Sequence, residues 1–194
     1  MSILPSVAGR RGHFQTESGY HTDVWLDLET LCRRPATIHP LARQVAARLR
    51  AYAVDAVCGP LNEGAFVALM VAADLGCDFT YAERFADRAE SGRLFPIRYR
   101  LPRPLRPLVA GRRVAIVNDV VSAGSAVRGT FEDLRAHDAQ VVAIGCLLVM
   151  GDAIDAFAGE HGLAVETLER LPYQLWKPET CPLCQAGKPV ESVT

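Results

Sequence analysis

The side chains best placed to do chemistry fall in one stretch, Arg113–Val127, reading R-V-A-I-V-N-D-V-V-S-A-G-S-A-V. Asn118 and Asp119 follow a run of four apolar residues, and Ser122, Ala123, Gly124 and Ser125 form a small-residue segment before the next helical pattern. Small residues let backbone N–H groups approach an anion closely. A helix start adds unpaired donors and a partial positive charge. Ser122 and Ser125 contribute hydroxyls, while Asp119 and Asn118 can accept hydrogen bonds from neighbouring sugar hydroxyls. The chemistry implied is the grip of a sugar phosphate, phosphate on the amides and diol on the carboxylate. The same spacing also fits an ordinary strand-to-helix turn with an aspartate at its tip.

Three further groups could act on such a ligand or beside it. Gly59-Pro60-Leu61-Asn62-Glu63-Gly64 is a second small, polar segment between an apolar run and a helical pattern. Its amides could hold another anion, though a plain loop fits as well. Residues 84–113 hold nine arginines against two acids, Asp87 and Glu90, a local positive field suited to a polyanion. Most of these arginines read as a solvated hairpin edge; Arg84 and Arg98 are the two selected as ligand contacts. Near the C-terminus, Cys181 and Cys184 form one C-x-x-C, half of a zinc site, which histidines or another subunit would have to complete.

These residues need elements to position them. Val114–Val117 fits a strand buried on both faces of a parallel sheet. Further strands are expected over 54–59, 78–83, 95–101, 140–150 and 163–168. Helices are expected over 36–52, 65–75, 126–137 and 153–161, from apolar recurrence at helical spacing. Residues 1–12 read as a lead-in. Alternation of Val24, Leu26 and Leu28 after the Ser18-Gly19 turn signal reads as an N-terminal hairpin. The alternation of strands and helices predicts an α/β fold, a mainly parallel twisted sheet with helices on both faces. Ligands of such sheets sit at the C-terminal strand ends, where segments 59–64 and 118–125 both fall.

Composition sets the bounds. The chain has 194 residues, 49% hydrophobic and 22% charged, with net charge −1. That suits one α/β domain over 1–194 and gives no general attraction to nucleic acid. No apolar run approaches the ~20 residues of a membrane span, and the N-terminus lacks a signal-peptide core, so a cytoplasmic location is expected. Cys32, Cys58, Cys77 and Cys146 sit singly in apolar or helical stretches and read as reduced core residues.

N-D-V-V-S-A-G-S, residues 118–125, resembles the PRPP-binding motif of type I phosphoribosyltransferases: two acidic residues, two apolar residues, then T-T/A-G-T/S. G-H-F-Q-T-E-S-G-Y-H-T, residues 12–22, is similar to the orotate branch's hood segment, and C-P-L-C-Q-A-G-K-P to the tail of one bacterial group within it. The resemblance runs from about Gly12 to Pro189. It implies a small hood over residues 12–30, a tail over 170–194, and transfer of ribose 5-phosphate from PRPP to a nucleobase with Mg2+ as cofactor. Orotate is the implied base, giving orotidine 5′-phosphate and pyrophosphate.

By the same resemblance, Asn118, Asp119, Ser122, Ala123, Gly124, Ser125, Arg84, Arg98, Asn62 and Glu63 contact PRPP. Asp119 and Arg84 are the catalytic pair, and Ser18, Tyr20 and Ser122 meet the base. Residues 84–95 form a mobile loop, and the partners are PRPP, a base and a second copy of the chain, with neither nucleic acid nor membrane.

The pattern departs from the family at several points. Asn118 replaces an acid, Glu63 stands where glycine is common, and Tyr20 where many members carry lysine. The mobile loop has no lysine, since the chain's two lysines are Lys177 and Lys188. The strand after the motif ends Val149-Met150-Gly151, without the arginine that pairs with the orotate carboxylate. These departures leave two alternatives, a phosphoribosyltransferase for another base or a PRPP-binding regulatory protein with little catalysis.

Overall fold

The computed structural model describes residues 8–16, 19–86 and 97–192. An N-terminal hairpin, β1 (Ala8–Gln15) and β2 (His21–Asp27), leads into helix α1 (Pro35–Leu49). Then follow β3 (Ala56–Pro60), α2 (Glu63–Leu75), β4 (Asp78–Ala86), β5 (Ile97–Arg100) and the one-turn α3 (Arg106–Val109). The second half runs β6 (Arg113–Val121), α4 (Ser125–Ala136), β7 (Gln140–Met150), α5 (Ala153–Glu160) and β8 (Ala164–Leu171). Short α6 (Pro182–Gln185) and β9 (Glu191–Ser192) close the described chain.

The main sheet has six strands in the order β5-β4-β3-β6-β7-β8, parallel throughout except for the antiparallel β4–β5 pair. After β4 the chain crosses back past β3 to start β6. The direction of winding therefore reverses between β3 and β6. In open parallel sheets, the loops leaving two such strands diverge and leave a crevice at their C-terminal ends.

Alternation along β6 explains how helices cover both faces. Ala115 and Val117 pack with α1 and α2 through Val45, Leu49, Val67 and Val71. Val114 and Ile116 face the other way, onto Val127, Phe131 and Leu134 of α4 and Ile154 of α5. Every residue of β6 after Arg113 is buried, so neither face can be polar, which is why the run reads as continuously apolar.

The hairpin forms a separate three-stranded sheet, ordered β2-β1-β9, with β9 parallel to β1. Val24, Leu26 and Leu31 seat this hood on the cluster that holds α1 and α2. Here the structure departs from the expected lead-in: β1 begins at Ala8 and includes Arg10 and Arg11, paired with Trp25 and Val24. Cross-strand hydrogen bonding holds these exposed residues in a strand although they carry little apolar signal. Among the described residues, no helix is long and apolar enough to cross a membrane.

Candidate active site

The crevice between β3 and β6 is where the two small-residue segments meet. Strand β6 runs further than the sequence implies. It stays paired with the long β7 through Val120 and Val121, so Asn118 and Asp119 lie inside the strand rather than beyond its tip. The chain then turns at Gly124, whose φ of +78° is a left-handed conformation that glycine adopts without cost. Helix α4 starts at Ser125 with no side chain capping its first turn, and the Gly124 carbonyl accepts from the Arg128 N–H at 2.9 Å. The donors of that first turn therefore remain available to an anion.

The second segment is built alike. Asn62 precedes α2, which begins at Glu63, two residues earlier than expected, again without a side-chain cap. The Leu61–Asn62 peptide is cis. Gly64 touches the partner loop so closely that a Cβ there would lie 2.0 Å from Asn118 Oδ1. Asn118 Oδ1 thus lies against the second loop, while its Nδ2 donates to the Val120 carbonyl of its own strand at 2.8 Å. A carboxylate at 118 would have no donor for that carbonyl, which gives the amide a structural reason.

A cavity of about 520 Å³ opens between these loops. Asn62, Glu63, Arg84, Asn118, Asp119 and Ser122–Ser125 all line it, so nine of the residues selected from the sequence meet there. Trp25, Leu26 and Asp27 of the hood, together with Tyr99, Tyr173, Glu191 and Ser192, complete the walls. A wider cavity of about 1530 Å³ adjoins it, sharing Tyr99, Ala123, Ser125, Met150 and Tyr173. Arg98 and Tyr20 line this second space rather than the first. Ser18 and residues 87–95 of the expected 84–95 mobile loop lie outside the described residues.

Asp119 is the most perturbed acid of the cleft. It is 5% exposed, and loss of hydration pushes its carboxyl from an ordinary 3.8 up to about 7. The charge of Glu63 pushes the same way, while hydrogen bonds from the backbone N–H groups of Val120 and Asp119 pull back. Two carboxyls thus share one cleft with open amide donors. Cys32, on the hood side of the same wall, has its thiol raised to about 11, first by burial and then by Asp119 and Glu63.

The missing cation at Gly151 has a local substitute. Gly151 lines the wider cavity beside Arg128 and Arg170. Arg170 pairs in register with Val149 on the neighbouring strand and holds Asp155 through two bonds of 2.8 and 2.9 Å. Positive charge therefore reaches this wall from α4 and β8 rather than from the tip of β7. Sequence reasoning passed over Arg128, Tyr99 and Tyr173. Arg128 on α4, Tyr99 on β5 and Tyr173 after β8 reach the cavity walls only through the fold. Cys181 and Cys184 lie away from these loops, beside His13 and His21 of the hood.

Comparison with known proteins agrees with this geometry. Residues 30–160 match the family model of the phosphoribosyl transferase domain. An orotate phosphoribosyltransferase of Thermotoga petrophila is 32% identical over 182 residues, covering 93% of this chain and 88% of its own. Among solved structures, orotate phosphoribosyltransferase from Aeropyrum pernix superposes with a TM-score of 0.64 at 20% identity, over 87% of this chain and 91% of that one. Adenine phosphoribosyltransferase from Thermoanaerobacter pseudethanolicus gives 0.68 at 15%, over 87% and 98%, so the fold alone does not select a base. Motif, strand order and relatives converge on one statement: the chain belongs to the phosphoribosyltransferase family and is of the orotate phosphoribosyltransferase-like type, a pentosyltransferase.

Proposed function

We propose that the protein transfers ribose 5-phosphate from PRPP to orotate, releasing pyrophosphate. The observation that carries this reading is the cleft at the sheet's switch point, where Asp119 stands beside an uncapped helix start. In this reading the 5′-phosphate sits on the amides and hydroxyls of Ser122, Ala123, Gly124 and Ser125, and the ribose diol on Asp119. Asn62 and Glu63 border the pyrophosphate end, and Arg84 offsets its charge. A bond from a base nitrogen to the anomeric carbon forms as the bond from that carbon to pyrophosphate oxygen breaks. Positive charge gathers on the sugar ring in between, and the Asp119 carboxylate faces it. Holding both reactants in line provides much of the acceleration.

The donor set fits Mg2+. Asp119 and Glu63 face one cleft, where the charge of Glu63 raises the cost of ionising Asp119, and hard oxygen ligands of this kind suit that ion. When bound with PRPP, it would neutralise the leaving pyrophosphate. The protein's own residues then orient the sugar and exclude water. A homodimer is proposed as well: Phe66 and Leu69, one turn apart on α2, are 48% and 52% exposed. The proposed compartment is the cytoplasm, in keeping with six free cysteines.

One observation favours a second reading, an acceptor other than orotate. Gly151 stands where the orotate family carries arginine, and the substitute cation Arg170 is already engaged by Asp155. Turnover with PRPP and magnesium against a panel of bases separates the two. Loss of orotate absorbance with release of pyrophosphate, abolished in Asp119→Ala, supports orotate. Turnover with another base alone supports the second reading.

A further inference from the structure

The C-x-x-C of the tail does not stand alone. His13 lies in β1, His21 opens β2, and Cys181 and Cys184 bracket the start of α6. One ligand atom from each of the four falls within 4.8 Å of all the others. His13 Nε2 is 3.0 Å from His21 Nδ1, 3.4 Å from Cys181 Sγ and 3.8 Å from Cys184 Sγ, and Cys184 Sγ is 3.3 Å from His21 Nδ1. A tetrahedral zinc with bonds of about 2.0 Å to nitrogen and 2.3 Å to sulfur sets ligand atoms about 3.3–3.8 Å apart. The observed spacings fall around that range without rearrangement of the backbone.

The imidazole orientation adds an independent observation. His13 Nδ1 lies 2.9 Å from the Lys188 carbonyl oxygen, which can only accept, so Nδ1 carries the proton. Its other nitrogen, Nε2, then presents a lone pair to the cluster. Metal-ligating histidines are commonly held this way, the far N–H bound to a carbonyl. Three of the four are buried, His13 and His21 at 5% and 6% exposed and Cys181 fully so, while Cys184 closes the site from the solvent side. Both cysteines are free thiols. Around them the chain makes a tight knuckle, with the Gln185 N–H on the Cys181 carbonyl, the Gly187 N–H on that of Cys184, and Gly187 at φ +67°.

We infer that His13, His21, Cys181 and Cys184 form a closed Cys2His2 site for one structural zinc ion, clamping the C-terminal tail to the N-terminal hood. Two thiolates balance the charge of Zn2+, so the loaded site is neutral, which suits its three buried ligands. A mixed sulfur–nitrogen tetrahedron selects zinc over magnesium or calcium. With four protein ligands no position stays open for a substrate, so the site is structural rather than catalytic. Its position gives it reach: β9 follows the knuckle, pairs with β1 at Phe14 and Gln15, and supplies Glu191 and Ser192 to the cleft wall.

The test uses the full chain produced in zinc-replete medium and dialysed without chelator. Elemental analysis should return about one zinc per chain, falling at least tenfold in the Cys181→Ser/Cys184→Ser double variant. Replacement by Co2+ should give the visible absorption of a tetrahedral sulfur–nitrogen site. If the double variant fails to fold, the cobalt spectrum of the wild-type chain and of His21→Gln decides instead. Less than about a tenth of an equivalent of zinc after reconstitution, an octahedral cobalt spectrum, or unchanged metal content in the variants would each overturn the proposal.

Discussion

Replacing Asp119 by asparagine isolates what burial does to the cleft. Folding carries this carboxyl from 3.8 to about 7, so between those values the folded chain binds a proton that the unfolded chain has released. Stability contributed through this group is therefore highest at low pH. It falls as pH rises from about 4 toward 7, and the full cost is present above 7. The shift of about three units corresponds to roughly 4 kcal/mol at the alkaline end and, by the same relation, about 2 kcal/mol at pH 5. Asparagine never ionises, and its Oδ1 keeps an acceptor for the backbone N–H groups. Asp119→Asn should therefore be more stable than wild type, by a margin that widens by about 2–3 kcal/mol between pH 5 and pH 8.5. For a chain of 194 residues that is about 6 °C in melting temperature. Calorimetric melts of both proteins, unliganded, across that pH range make the measurement. A margin that stays flat with pH, or a variant less stable than wild type at pH 8.5, would refute the buried-carboxyl argument.

The remaining expectations concern neighbouring residues. If the ribose hydroxyls donate to Asp119, PRPP–magnesium binding releases a proton below pH 7. Calorimetric affinity should then rise with pH up to about 7 and level off, a dependence absent in Asp119→Asn. Asn118→Asp would leave the Val120 carbonyl without its donor and add a charge beside Asp119, lowering stability by about 1–3 kcal/mol in chemical denaturation. Gly64→Ala drives a methyl against Asn118 Oδ1 and should cost about 1–3 kcal/mol and weaken PRPP binding. Ser125→Ala removes a hydroxyl but no amide, so PRPP affinity should fall only about three- to tenfold by titration.

Particular residues show what was legible in the sequence. Val114–Val117 and the long run of β7 declared themselves because strands buried on both faces admit no polar positions. The loops after β3 and β6 were legible as strand-to-helix junctions because small, polar residues separate an apolar run from a helical pattern in each. The start of β1 was not, since Gly9, Arg10 and Arg11 belong to a strand only through their pairing with β2. Cys181 and Cys184 were visible as a pair, but His13 and His21 stand more than 150 residues away in the chain, and no local pattern joins them. The role of Asn118 was equally hidden: it reads as a lost charge until the Val120 carbonyl and Gly64 are seen on either side. Arg128 and Arg170 escaped notice because their partners, Ala153 and Asp155, come from α5.

The pairing of β9 with β1 has a consequence for the order of assembly. Strands β3 to β8 need only segments made one after another, so the main sheet can consolidate while the chain is still emerging from the ribosome. The hood is different: β1 and β2 can pair early, but its third strand, β9, is made more than 170 residues after β1. The roof over the ligand cleft thus closes after the main sheet, and the cleft wall is complete only once β9 has joined β1.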